Sequence, residues 1–189
     1  MERGPELSSA RLVLRRWRTD DLPPFAAMNA DAEVMEHFPA RLSRDEGDAL
    51  VRRFEAGFEA RGFGLWALEI AATGEFIGFC GLSVPSFEAP FMPAVEIGWR
   101  LARQHWGQGY ATESARAALR FGFERVRLHE VVSFTTRANE RSQAVMRRLG
   151  MTHDPADDFD HPRLAPGHPQ RPHVLYRLGA DRWRALSSP

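Results

Sequence analysis

The stretch HWGQGYATES, residues 105–114, sets Gly107 and Gly109 two positions apart between apolar runs. A strand pattern precedes it and a helical one follows, so the bare backbone falls where the helix begins. The first N–H groups of a helix lack internal partners and, with the helix dipole, attract an anion. Glycine lets a ligand come close to the main chain. That chemistry suits a phosphate or a diphosphate. No lysine follows Gly109, which rules against a GxxxxGK phosphate loop. GQGYAT begins like GxGxxG but has Thr112 at the third glycine and lies far from the first strand, so it matches a dinucleotide fold poorly.

Three histidines, His161, His168 and His173, lie in or beside a proline-rich segment. Their spacing is irregular and no cysteine joins them, so no metal site is expected. Cys80 is the only cysteine, which excludes an internal disulfide. Lys plus Arg and Asp plus Glu number 25 each, so net charge points to neither nucleic acid nor an anionic membrane as partner. No segment approaches the ~20 apolar residues that span a bilayer, and the N-terminal residues carry no signal-like pattern. The expected location is the cytoplasm.

The elements that must position this chemistry follow from the pattern. A chain of 189 residues, 43% hydrophobic and 26% charged, fits one globular domain. We expect it over residues 8–180, with terminal extensions 1–7 and 181–189. Leu12 and Leu14 alternate with arginines in a first strand. Thr19, Asp20 and Asp21 suit a helix N-cap, with Pro23 in the first turn. Ser43 and Glu46 form a capping box before a helix with Leu50, Phe54 and Phe58 on one stripe, ending near Gly62. LWALEIA and FIGFCGLS make a hairpin around ATGE, and AVEIGWRLA is a further strand. Ala115, Ala118, Leu119, Gly122 and Val126 recur at helical spacing, small enough to imply close packing on a sheet. EVVSFTTRA is a strand. NERSQAVMRRLG is a short helix capped by Asn139, with Val145 and Leu149 facing inward. HVLYRLG closes the chain after the long loop 154–172. The order implies a mixed α/β sheet with helices against it.

Beyond these patterns, the chain resembles the GNAT N-acetyltransferase superfamily. Trp106-Gly107-Gln108-Gly109-Tyr110-Ala111 fills its [Gln/Arg]-x-x-Gly-x-[Gly/Ala] turn, with Trp106 in place of Gln or Arg. EIGWRL resembles the family's fourth strand, and NERSQAVMRRLGM its Asn-x-x-Ser helix. RLVLRRWRTDD is similar to the opening of the branch that includes ribosomal-protein-alanine acetyltransferases. The resemblance implies a single-domain GNAT fold: a mixed, mostly antiparallel sheet, splayed between its fourth and fifth strands and flanked by about four helices. It implies acetyl-CoA as co-substrate, with the diphosphate on Trp106, Gly107, Gln108, Gly109, Tyr110, Ala111 and Thr112. The pantetheine arm would meet Gly98, Trp99, Leu101 and Asn139.

The implied reaction is direct acetyl transfer to a primary amine, on a small molecule or a protein N-terminus, in a ternary complex. An alkyl amine with pKa ~10.4 must lose a proton to react. Glu96, on a different face from Val95, Ile97 and Trp99, can relay that proton or be a paired surface carboxylate. His153 is a further base or a solvated loop histidine. Many members protonate the leaving thiolate with a tyrosine seven residues after the asparagine; here Met146 stands there. Ser142 is the replacement that the branch suggests, or simply a polar residue of the helix's first turn. The loss of the tyrosine keeps open a non-catalytic acyl-CoA-binding module. A regulatory domain for nucleotides is a third alternative. Phe87, Phe91 and Met92 line the acceptor cleft or anchor a loop. A homodimer is left open.

Overall fold

Leu12 and Leu14 are fully buried and sit in β2 (Leu12–Arg15). The computed structural model describes residues 5–187. A short strand, β1 (Leu7–Ser8), pairs with β2, so the end of the expected N-terminal extension joins the sheet. Residues 1–4 and 188–189 lie outside the described residues.

The expected cap at Thr19, Asp20 and Asp21 is instead a 3-10 turn leading into α1 (Leu22–Ala30). The Asp21 side chain makes no cap bond to α1. It accepts both arms of buried Arg15, at 2.7 and 2.8 Å, and the Arg18 N–H at 2.8 Å. Helix α2 (Arg44–Arg61) starts and stops as the sequence predicts. The Glu46 N–H donates to Ser43 Oγ, the Ser43 N–H donates to the Glu46 carboxylate, and Gly62 ends the helix.

The hairpin β3 (Leu65–Ile70) and β4 (Phe76–Ser83) leads to β5 (Glu96–Leu101). Then come α3 (Tyr110–Phe121), extended by a wider π turn to Val126, and β6 (Glu130–Thr136). Ala115, Ala118 and Leu119 of α3 are fully buried, and a Cβ on Gly122 would stand 2.9 Å from Leu82. The close packing expected of small residues is present. Helix α4 (Glu140–Arg148) follows, capped by Asn139. Its fully buried residue is Met146; Val145 is only partly covered.

Segment 154–172, expected to be a long loop, contains one short strand and is preceded by another. Strands β7 (Thr152–His153) and β8 (Phe159–Asp160) both pair with β9 (Pro172–Gly179). The expected C-terminal extension holds a helix, α5 (Ala180–Ser187), whose buried Trp183 stacks on Phe123.

The sheet runs β1-β2-β3-β4-β5-β6-β9-β7. All pairs are antiparallel except β5–β6. The architecture is the expected mixed, mostly antiparallel sheet, with five α-helices among the described residues where about four were expected. The splay falls between β5 and β6, because β1 shifts the strand count by one. One core around Phe25, Phe54 and Phe79 joins α1 and α2 to the sheet; a larger one takes in α3, Met146 of α4 and Trp183 of α5. Among the described residues, no helix is long and apolar enough to cross a membrane.

Arg15 and Asp21 expose only 4% and 3% of their side chains, so removing one partner strands a buried charge. Asp21→Ala is expected to cost about 3 kcal/mol in urea denaturation. A loss below about 1 kcal/mol would mean that Glu69, the other partner of Arg15 at 2.5 Å, suffices alone.

Candidate active site

Strands β5 and β6 register at one pair, Glu96 with Val132. The Val132 N–H donates to the Val95 carbonyl at 2.9 Å, and the Ser133 hydroxyl reaches the Ile97 carbonyl at 2.9 Å. Beyond that the strands part. Antiparallel alternation against β4 aims the main chain of Ile97, Trp99 and Leu101 at the β6 side and that of Glu96, Gly98 and Arg100 at β4. Trp99 therefore presents main-chain groups to the gap. The Leu101 carbonyl accepts the Trp106 indole N–H at 2.8 Å. Gly98 has its main chain turned to Gly81; what it offers is open space, with only Glu96 Oε1 near a hypothetical Cβ, at 3.7 Å.

The gap opens into a cleft of about 1250 Å³ that continues to the start of α3. Gly107 and Gly109 both hold left-handed backbone, φ +75° and +81°. A Cβ on Gly107 would meet nothing, and one on Gly109 only an Arg11 nitrogen at 3.5 Å. The protein therefore needs glycine here for its φ angles rather than for lack of room. The Trp106 N–H is already bonded to the Arg103 carbonyl, so the free amides begin after it. The Gln108 side chain is exposed and turns back to the Gln104 carbonyl. Tyr110, Ala111 and Thr112 form the first helical turn, with N–H groups that lack intrahelical acceptors.

Arg11 holds this turn from behind. Its guanidinium donates to the Gln108 carbonyl at 3.0 Å, lies over the Tyr110 ring and pairs with Glu113 at 2.7 Å. Burial alone would push the Glu113 carboxyl up, but bonds from Ser9 and Arg11 outweigh it and hold the group below its usual range.

Across the cleft, Asn139 accepts the Ser142 N–H at 3.1 Å and donates to Thr135 Oγ1 at 2.9 Å. Ser142 lines the cleft, and its hydroxyl has no partner among the described residues. Met146 points into the core, so the usual acid position is turned away from the cleft. Arg141, Ala144, Val145 and Arg148 line the cleft, an i, i+3, i+4, i+7 face of α4. The Arg141 guanidinium stacks 4.8 Å from the Trp106 ring. This basic face went unread in the sequence, although its helical spacing was visible there.

At the other end, Glu96 lies on the face opposite buried Ile97, as alternation predicts, and borders the cleft. Burial pushes its carboxyl up to about 8; a 3.4 Å bond from Ser83 pulls the other way. His161 and His173 come together, ring centroids 5.1 Å apart, while His168 binds a neighbouring backbone N–H. Burial, His173 and Arg163 lower His161 to about 4, and burial lowers His173, which favours the neutral form of both rings. His153 does not line the cleft; it stacks on Tyr176 and bonds Asp158 at 2.7 Å. Phe87 and Phe91 pack behind cleft-lining Phe134 as loop anchors. The segment around His161 is tied down by Arg163 on Ser86 and by Gln170 on the Glu36 carbonyl. With His37 and Phe38 of the α1–α2 connection, it roofs this end.

Residues 11–152 match the family model described as an acetyltransferase (GNAT) domain. The chain is 36% identical, over 98% of its length and 80% of that protein, to the FsC-acetyl coenzyme A-N(2)-transacetylase of Aspergillus fumigatus. It is 31% identical to the uncharacterized protein YkkB of Bacillus subtilis, over 70% of this chain and 76% of that one. Among solved structures, an acetyltransferase from Agrobacterium tumefaciens superposes with TM-score 0.74 at 28% identity, covering 92% of this chain and 94% of that one.

A β-branched side chain at φ +81° is strained by about 1–3 kcal/mol, so Gly109→Val would distort the turn that carries the free amides. We expect this variant to fold and to bind coenzyme A at least tenfold more weakly by calorimetry. Unchanged affinity in the folded variant would remove the turn from the binding site.

Proposed function

This chain belongs to the GNAT acetyltransferase family and is an acetyl-CoA-dependent acyltransferase, and from that premise we propose that it acetylates a primary amine by direct attack. One observation carries the proposal. The parted edge of β5 runs straight to the free amides of α3, and Glu96 borders the same cleft. The named relative that acts on an N(2) position supports an amine as acceptor.

When bound, acetyl-CoA supplies the thioester carbonyl that is attacked and the thiolate that leaves. Main-chain N–H groups from Gly107 to Thr112 hold the diphosphate, and Arg141 and Arg148 add positive charge from the opposite wall. Trp99 offers its main chain to the pantetheine arm. Leu101 has one group fewer to give, and Asn139 acts chiefly by fixing the first turn of α4. Holding amine and thioester together supplies much of the rate. Glu96 takes the amine proton, directly or through one water, and a carboxyl raised to about 8 is a stronger base than an ordinary one once ionised. Ser142 donates its hydroxyl toward the departing thiolate, whose pKa of ~8.5 calls for a hydrogen bond more than a strong acid.

A thiol-release assay with acetyl-CoA and a panel of amines tests this. Release with at least one amine is expected, and binding of acetyl-CoA without release across the panel would reduce the protein to a carrier. Because Glu96 must be ionised to accept a proton, kcat/KM should rise with pH through an apparent pKa near 8. Glu96→Gln should remove that limb and lower kcat by at least tenfold. A persisting limb would assign the base elsewhere. Ser142→Ala should lower kcat several-fold with coenzyme A affinity unchanged. Full turnover would take Ser142 out of the mechanism.

A further inference from the structure

Two deep arginines in this fold are treated differently. Arg15 has both sides of its guanidinium matched, by Asp21 and by Glu69. Arg100 is 9% exposed, and no carboxylate pairs with it among the described residues. Its Nη1 donates to Asn29 Oδ1 at 2.7 Å, and its Nε is buried without a partner. The guanidinium lies over the Phe38 ring, 4.0 Å from the centroid, and 5.4 Å from that of Phe79. Burial lowers its pKa to about 10, which leaves it a cation at neutral pH.

A buried charge with an orphaned donor is costly unless something pairs with it. Arg100 lines the cleft together with Glu96 and Gly98. These three alternate along one face of β5, so Gly98 stands about 7 Å from each neighbour along the strand. An amine held over the bare Cα of Gly98 has the base on one side and a long cationic side chain on the other. An anion attached close to that amine would reach the guanidinium, which presents a planar fork suited to a carboxylate. The π faces of Phe38 and Phe79 fix the plane of that fork.

We propose that the acceptor amine also carries a carboxylate, which Arg100 binds; this rests on the site being that of an amine acetyltransferase. Arg100 is then the residue that selects amino acids, or chain ends bearing a carboxylate, over plain amines and amides. The polyamines and drug-like polycations that a generic amine pocket would admit meet a like charge there.

The test is calorimetric and needs no turnover. A panel of N-acetyl-L-amino acids and their matching carboxamides, the product form with and without the charge, is titrated into the protein loaded with coenzyme A. At least one acid is expected to bind tenfold or more tightly than its carboxamide. Arg100→Gln should erase that preference with coenzyme A affinity within twofold of wild type, and Arg100→Lys should restore part of it. Equal affinities, a preference for the carboxamide, or no binding by any acid would overturn the proposal. So would a preference that survives in Arg100→Gln. Should that variant fail to fold, the ratio of acid to carboxamide in the wild-type protein decides alone. Failure of the transferase reading itself would show separately, as no thiol release from acetyl-CoA with any amine.

Discussion

The parting of β5 from β6 is the constraint on which the site depends. Two parallel neighbours in a sheet normally zip along their length, and an unpaired main chain in the interior is expensive. Here the zip stops after the Glu96–Val132 pair, and Ser133 satisfies the Ile97 carbonyl that would otherwise be left behind. The Trp106 indole does the same for the Leu101 carbonyl. These two side-chain bonds stop the edge at either end and leave Trp99 facing the gap. The sheet stays intact because β4 pairs with all six residues of β5 on the other side, and β6 pairs along its whole length with β9.

The glycine turn is held by a second set of contacts that begins near the far edge of the sheet. Arg11, just before β2, grips Glu113, the Gln108 carbonyl and the Tyr110 ring. Turning a carbonyl of the glycine turn backward leaves the N–H side of that turn forward. The arrangement explains why an N-terminal strand pairs at the opposite side of the sheet yet shapes the entrance to α3. It also accommodates Trp106 where the family more often has Gln or Arg. The basic face of α4 lies near it, with Arg141 on the indole itself.

The sequence disclosed most of the frame and part of what lines the cleft, and the division has a physical basis. Features coded locally were legible: the Ser43–Glu46 box, the β3–β4 hairpin, the glycine turn and the Asn139 cap each depend on residues within a few positions. The alternation that set Glu96 apart from Ile97 is equally local. Features that depend on which distant segment lies opposite were not. Asp21 looked like a cap because its type and place suit one, but a buried Arg15 outcompeted the helix N-terminus for its carboxylate. Val145 looked inward-facing, but the cleft lies on that side and Met146 takes the core position. The roof from the α1–α2 connection, and the ordering of 154–172 by Ser86 and Glu36, bring together residues more than seventy positions apart.

The two ionisable groups on the cleft face of β5 make a last point about stability and chemistry. Glu96 and Arg100 carry opposite formal charges on the same strand and the same face, yet they do not pair. Four positions apart on the strand, their backbones stand about 13 Å from each other, and Gly98 has no side chain to bridge the interval. Each instead has one neutral polar neighbour, Ser83 or Asn29, which orients the group without cancelling its charge. A carboxyl kept unpaired can accept a proton, and a guanidinium kept unpaired can hold an incoming anion. The fold tolerates this because the rest of β5 is firmly seated, with Ile97 fully buried beneath α3 and Leu101 nearly so. The apolar face of one six-residue strand thus anchors the polar face that borders the cleft on either side of Gly98.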